Sequence, residues 1–198
     1  MRVLTLSLLL LCSLAADAFP TIIDFEEFPE GNVTNPFSSK GYTFSHAYSA
    51  GIILMVTPNE STTGQMMTVC DGCAFPTVIS MQEENGSLFE LTSFDAGYNL
   101  ASPSWNRSLT VTGTYADNSQ ISAVFDSIGG FTETINLGGP GWSNLALVSF
   151  SWDADVSSGL DIRGLDNINV TAVPIPAAVW LFGSGLGLLG WFRRRQSA

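Results

Sequence analysis

From Arg107 to Tyr115 the chain alternates with a period of two: Leu109, Val111, Gly113 and Tyr115 interleave with Thr110, Thr112 and Thr114. Successive side chains of a strand point to opposite faces, so one face of this segment is set against a core and the other meets water. Ala116-Asp117-Asn118-Ser119 is a run of turn formers, and Ile121–Phe125 resumes the alternation, which predicts a hairpin. Further runs rich in Val, Ile, Phe, Thr and Tyr are Ile22–Phe28, Tyr42–Ser45, Ile52–Thr57, Thr77–Met81, Phe89–Phe94, Glu133–Leu137, Leu145–Trp152 and Leu160–Thr171. Gly, Pro, Asn and Asp separate them, and no long window keeps a helical period. About ten strands in roughly 150 residues predict an all-β domain, a two-sheet β-sandwich or jelly roll, because an open sheet that wide would leave an apolar face uncovered. The stretches Pro29–Ser39 and Asp95–Trp105, dense in Gly, Asn, Ser and Pro, are expected as loops at the sandwich ends.

Both ends of the chain differ from this pattern. Residues 1–18 have the build of a secretory signal: Arg2, an apolar run from Val3 to Leu14, and Ala16-Asp17-Ala18 as the small-x-small site, with cleavage expected after Ala18. Cys12 follows Leu11, where a lipoprotein acceptor follows Gly or Ala, so lipidation is not expected. After the β domain (residues 19–172), residues 173–198 run through Pro174-Ile175-Pro176, an uncharged stretch at about 177–192, and Arg193-Arg194-Arg195. That stretch is near the lower limit for a helix crossing a bilayer core of about 30 Å, and three Arg at its end would hold it in the cytoplasm as a transmembrane stop-transfer helix.

The run Val173-Pro174-Ile175-Pro176-Ala177-Ala178-Val179-Trp180-Leu181-Phe182-Gly183-Ser184-Gly185, followed by Leu and Gly and the three Arg, resembles the PEP-CTERM sorting signal of Gram-negative bacteria. Ile175 departs from the Glu that gives the motif its name; a form with an apolar residue there is also similar. The resemblance implies export through the Sec translocon, transient membrane anchoring, and recognition of the tail by an exosortase-type processing enzyme. Release to the cell surface or extracellular matrix, often beside exopolysaccharide, would follow. A GPI tail would end in its apolar stretch and is not expected.

Residues 19–172 hold Lys40, Arg107 and Arg163 against 17 carboxylates (the chain's 18 less Asp17), a net charge of −14. Nucleic acids and anionic lipid surfaces are bound through clustered Lys and Arg, so neither is an expected partner. The acidity is read first as solubility and, more sharply, as calcium capture. Five Asn-x-Ser/Thr sequons (Asn32, Asn59, Asn85, Asn106, Asn169) arise by chance in a chain this rich in Asn, Ser and Thr.

Few residues form a chemical constellation. Cys70-Asp71-Gly72-Cys73 spans a tight turn and is expected as a disulfide in an oxidising compartment. A redox CxxC calls for a helix start that Ala74-Phe75-Pro76 does not supply. His46 is the sole histidine, and no nucleophile elbow accompanies it. Asp24 and Glu26 lie near the domain start and Asp166 near its end, sharing the alternation of Ile168 and Val170, which would turn it toward the core. These runs resemble those of jelly-roll carbohydrate-binding and galactose-binding-like modules, which implies a structural calcium held by Asp24, Glu26 and Asp166; hydrogen bonding alone is the other reading. Trp105, Trp142 and Tyr98 fall in loop-like stretches, where they either stack on a sugar or plug the sandwich end. No catalytic residue is assigned. The sequence thus reads as an exported carbohydrate-binding or matrix-interaction module, with a polysaccharide hydrolase or a purely structural matrix protein as alternatives.

Overall fold

The structure, a computed structural model, describes residues 19–46, 54–59, 64–69, 77–99, 108–126, 133–152 and 162–173. Phe19–Val173 form one compact unit. The signal segment, Cys70, Cys73, Trp105 and the whole stretch 174–198, with its expected transmembrane helix, lie outside the described residues. Among the described residues no helix is long and apolar enough to cross a membrane.

The described part is all-β, a sandwich or barrel-like sheet, with a single 3₁₀ turn at Pro140–Trp142. Its strands are β1 (Pro20–Ile23), β2 (Gly31–Val33), β3 (Phe37–Ser39), β4 (Tyr42–His46), β5 (Leu54–Asn59), β6 (Gly64–Val69) and β7 (Thr77–Glu83). They continue with β8 (Phe89–Asn99), β9 (Leu109–Tyr115), β10 (Gln120–Phe125), β11 (Glu133–Asn136), β12 (Leu145–Trp152) and β13 (Ile162–Ala172). One set runs β2-β5-β6-β13-β8-β11, and β1 continues along the β13 edge that β6 leaves. The other runs β10-β9-β12-β7-β4-β3. Among the described residues a single bridge, Leu145↔Phe89, joins them. Both sets contribute to one core: Phe94 of β8 meets Phe150 of β12 edge-on at 5.1 Å, and Tyr42 of β4 meets Phe89 at 5.4 Å.

The β9–β10 hairpin forms as the alternation predicts, with Leu109, Val111 and Gly113 buried and Asn118 in the left-handed region (φ 66°) closing the turn. Other expectations are corrected. The run Ile22–Phe28 is not one strand: Phe25 adopts φ 56° and Phe28 N donates to Phe25 O, so β1 stops at Ile23. Phe25 instead turns into the core, 5.4 Å from Phe44. The expected loop Pro29–Ser39 contains β2 and β3, and that at Asp95–Trp105 begins as five more residues of β8. No expectation covered β6, which lacks β-branched alternation; Met66 and Met67 are buried together, Met67 in the core and Met66 against Gly164 of β13.

Tyr42 supplies a pH test of this packing. Burial, and secondly the charge of its cross-strand partner Glu83, pushes its phenol from 10.0 up to about 12. The folded state favours the neutral phenol, so its contribution is complete below the unfolded value and is lost as pH rises from about 10 through about 12. The expected loss is on the order of 2 kcal/mol across that window, absent in Tyr42→Phe, and is read from denaturation midpoints at stepped alkaline pH.

Candidate functional site

The two strand sets meet where Phe89 opens β8 and Leu145 opens β12, and the residues just before each, Leu88 and Asn144, face the tip of the β9–β10 hairpin. Between them lies an open depression of about 440 Å³ lined by Leu88, Tyr115, Ala116, Asp117, Ser119 and Asn144. Tyr115 is half-buried, and its hydroxyl donates to Gly141 O at 2.5 Å, which fixes the ring from its far end. The turn is built by Asp117, whose Oδ1 accepts from Ser119 N (3.0 Å) and Ser119 Oγ (2.5 Å). Those hydrogen bonds hold the Asp117 carboxyl below the usual carboxylate range, so it is ionised at neutral pH. Among the described residues its Oδ2 and the Asn144 amide take no hydrogen bond, which leaves acceptor and donor groups beside the ring. Val173 N donates to Leu88 O at 2.8 Å, which ties the end of β13 to a residue of the lining.

The residues singled out in the sequence do not gather here. Trp142, expected as a possible sugar contact, is 7 % exposed and belongs to the core, carried inward by the 3₁₀ turn; it plugs the sheet end. Tyr98 lies on β8, not in a loop. Asp24 pairs with Lys40 (3.4 Å), and Glu26 accepts the Gln65 backbone N–H (2.6 Å). Among the described residues no three His, Cys, Asp or Glu side chains are grouped to hold a metal ion, so Asp24, Glu26 and Asp166 are not brought together as a set of three carboxylates.

Asp166 is also on the other face from the one expected. Its neighbour Leu165 and later Ile168 and Val170 are all core residues, and the parity changes between them at a bulge where Asn167 has φ 45°. Asp166 therefore faces away from the hydrophobic core, opposite Asp95 of β8, although it is only 4 % exposed. Asn167 Nδ2 donates to Asp95 Oδ2 at 2.8 Å, Asn167 N to Asp166 Oδ1 at 2.8 Å, and Thr134 Oγ1 to Asp95 Oδ1 at 2.5 Å. The two carboxylates share one asparagine, since Asn167 Nδ2 also lies 3.5 Å from Asp166 Oδ2. The arrangement pins a bulge.

Fold and site together define an all-β domain of sandwich or barrel type with an open, aromatic-and-carboxylate depression at its seam. No protein-family model matches the chain, and no curated protein matches it. Among solved structures it is similar to part of an arabinose-bound GH51 α-L-arabinofuranosidase, with TM-score 0.50, 12 % identity, and coverage of 76 % of this chain and 26 % of that one. The chain thus spans about a quarter of that enzyme's length. It is also similar to the CBM22-1 xylan-binding domain of Paenibacillus barcinonensis Xyn10C (TM-score 0.41, 15 % identity, 78 % and 94 % coverage). TmCBM61 in complex with β-1,4-galactotriose is a further match (TM-score 0.40, 7 % identity, 68 % and 90 % coverage). At these identities the likeness is one of fold alone, and it rests on the first.

Proposed function

We propose that this chain is an exported surface or extracellular-matrix protein, delivered by its signal segment and PEP-CTERM tail, whose β domain is a jelly-roll carbohydrate-binding module. The observation that carries the binding half is the seam depression: a ring fixed by its own hydroxyl, with an ionised carboxylate and an amide beside it. A sugar presents an apolar face to such a ring and hydroxyl pairs to such groups. A polymer-binding protein needs an open surface, and the depression is open. The delivery half rests on the ordered Pro-x-Pro, Trp-Leu-Phe-Gly-Ser-Gly and Arg cluster of residues 173–198.

Binding is tested with the full chain in detergent against a panel of immobilised and soluble polysaccharides. At least one polymer is expected to retain the protein, and Tyr115→Ala to weaken that retention by about tenfold. Asn144→Gly, which keeps the left-handed backbone (φ 59°) and removes the amide, gives a second reading if the Tyr115 variant does not fold. Retention by no polymer, or unchanged affinity in both folded variants, rejects the module. For delivery, deletion of residues 174–198 is expected to move the protein from envelope to medium without processing; identical fractionation of both forms rejects the tail's role.

A further inference from the structure

We propose that the seam depression selects neutral glycans and excludes those bearing uronate or sulfate groups. This rests on the carbohydrate-binding reading above and assigns its ligand class. None of the six lining residues is basic, and the charged one, Asp117, is a carboxylate at the exposed hairpin tip. A glycan carboxylate entering the depression meets that charge with no cation on the lining to offset it. Residues 19–172 carry a net charge of −14, and Lys40 pairs with Asp24 at 3.4 Å. Exposed charges act over a Debye length of about 8 Å at physiological ionic strength, so the repulsion is strongest for groups seated in the depression and weaker for groups elsewhere along a polymer.

A neutral sugar faces the opposite balance. Asp117 Oδ1 is already committed to Ser119, so Oδ2 remains for hydroxyl donors, and charge-assisted O–H···O⁻ bonds are roughly twice as strong as neutral ones. The Asn144 amide adds both a donor and an acceptor within the same lining. The carboxylate that repels an acidic glycan therefore helps hold a neutral one.

The test compares, on the full chain, a neutral polysaccharide retained in the panel with the same polymer oxidised at C6 to uronate. The neutral form is expected to bind about tenfold tighter or more at low salt, with the gap closing in about 1 M salt. Asp117→Asn is expected to narrow the gap, whereas Glu84→Gln, an equal charge change at an exposed position outside the lining, leaves it unchanged. Equal or tighter binding of the oxidised polymer overturns the selectivity, as does a gap indifferent to Asp117→Asn. If no polymer of the panel binds, the carbohydrate-binding reading itself fails, a distinct result.

Discussion

Phe94→Ala is expected to cost about 3–5 kcal/mol, close to the largest effect a single truncation produces. Phe94 is fully buried on β8 and joins the two strand sets, meeting Phe150 of β12 at 5.1 Å and Phe125 of β10 at 6.4 Å, both edge-on. Truncation removes the transfer energy of the ring and leaves a cavity bounded by both sets. Neither can collapse into it freely, because a hydrogen-bonded ladder fixes each. Domains are stable by only about 5–15 kcal/mol, so the variant retains a fraction of its stability. For a domain near 150 residues each kcal/mol moves the Tm by about 2–4 °C, which places the expected drop at roughly 6–20 °C. Phe19→Ala, at a residue 78 % exposed, is the control and is expected within about 0.5 kcal/mol of the parent. A cost below about 1 kcal/mol for Phe94→Ala would mean that the two sets do not share one core.

Local alternation carries much of this fold into the sequence, and long-range pairing carries the rest out of it. Leu109, Val111 and Gly113 can be placed inward because each is decided by its immediate neighbours. The β6 strand cannot, because Met66 and Met67 are buried on successive positions and so break the period that marks a half-buried strand. Parity counting puts Asp166 on the wrong face because it assumes an unbroken ladder, and one bulged residue inverts everything beyond it. The site shows the same division. Asp117 and Ser119 are legible as turn formers, yet Asn144 reaches the turn through the Leu145↔Tyr115 pairing and Leu88 through the Leu145↔Phe89 bridge, contacts between segments far apart in the chain for which no local pattern exists. Trp142 has the sequence surroundings of a loop ring, but its burial depends on a core assembled from distant strands.

Asn167→Ala should therefore be as informative as any core change, at about 3–4 kcal/mol. Two costs add. Alanine in the left-handed region at φ 45° costs about 1–2 kcal/mol, where asparagine is tolerated. The second is the lost donor: the amide serves Asp95 Oδ2 at 2.8 Å, and a hydrogen bond to a charged group contributes about 1.5–3 kcal/mol. Without it, Asp95 and the buried Asp166 oppose each other across the ladder with less to offset their repulsion. Asn167→Gly separates the two costs, because glycine accepts the backbone but supplies no amide, so its cost should be only about 2 kcal/mol. Asn167→Asp keeps the shape, replaces the donor with a third carboxylate, and should be the least stable of the three. Urea midpoints give the order parent, Gly, Ala, Asp. If the glycine variant matches the parent, the amide bridge contributes nothing and the bulge is held by backbone alone; if Asn167→Asp is tolerated, the carboxylate pair is not the reason an asparagine stands at this position.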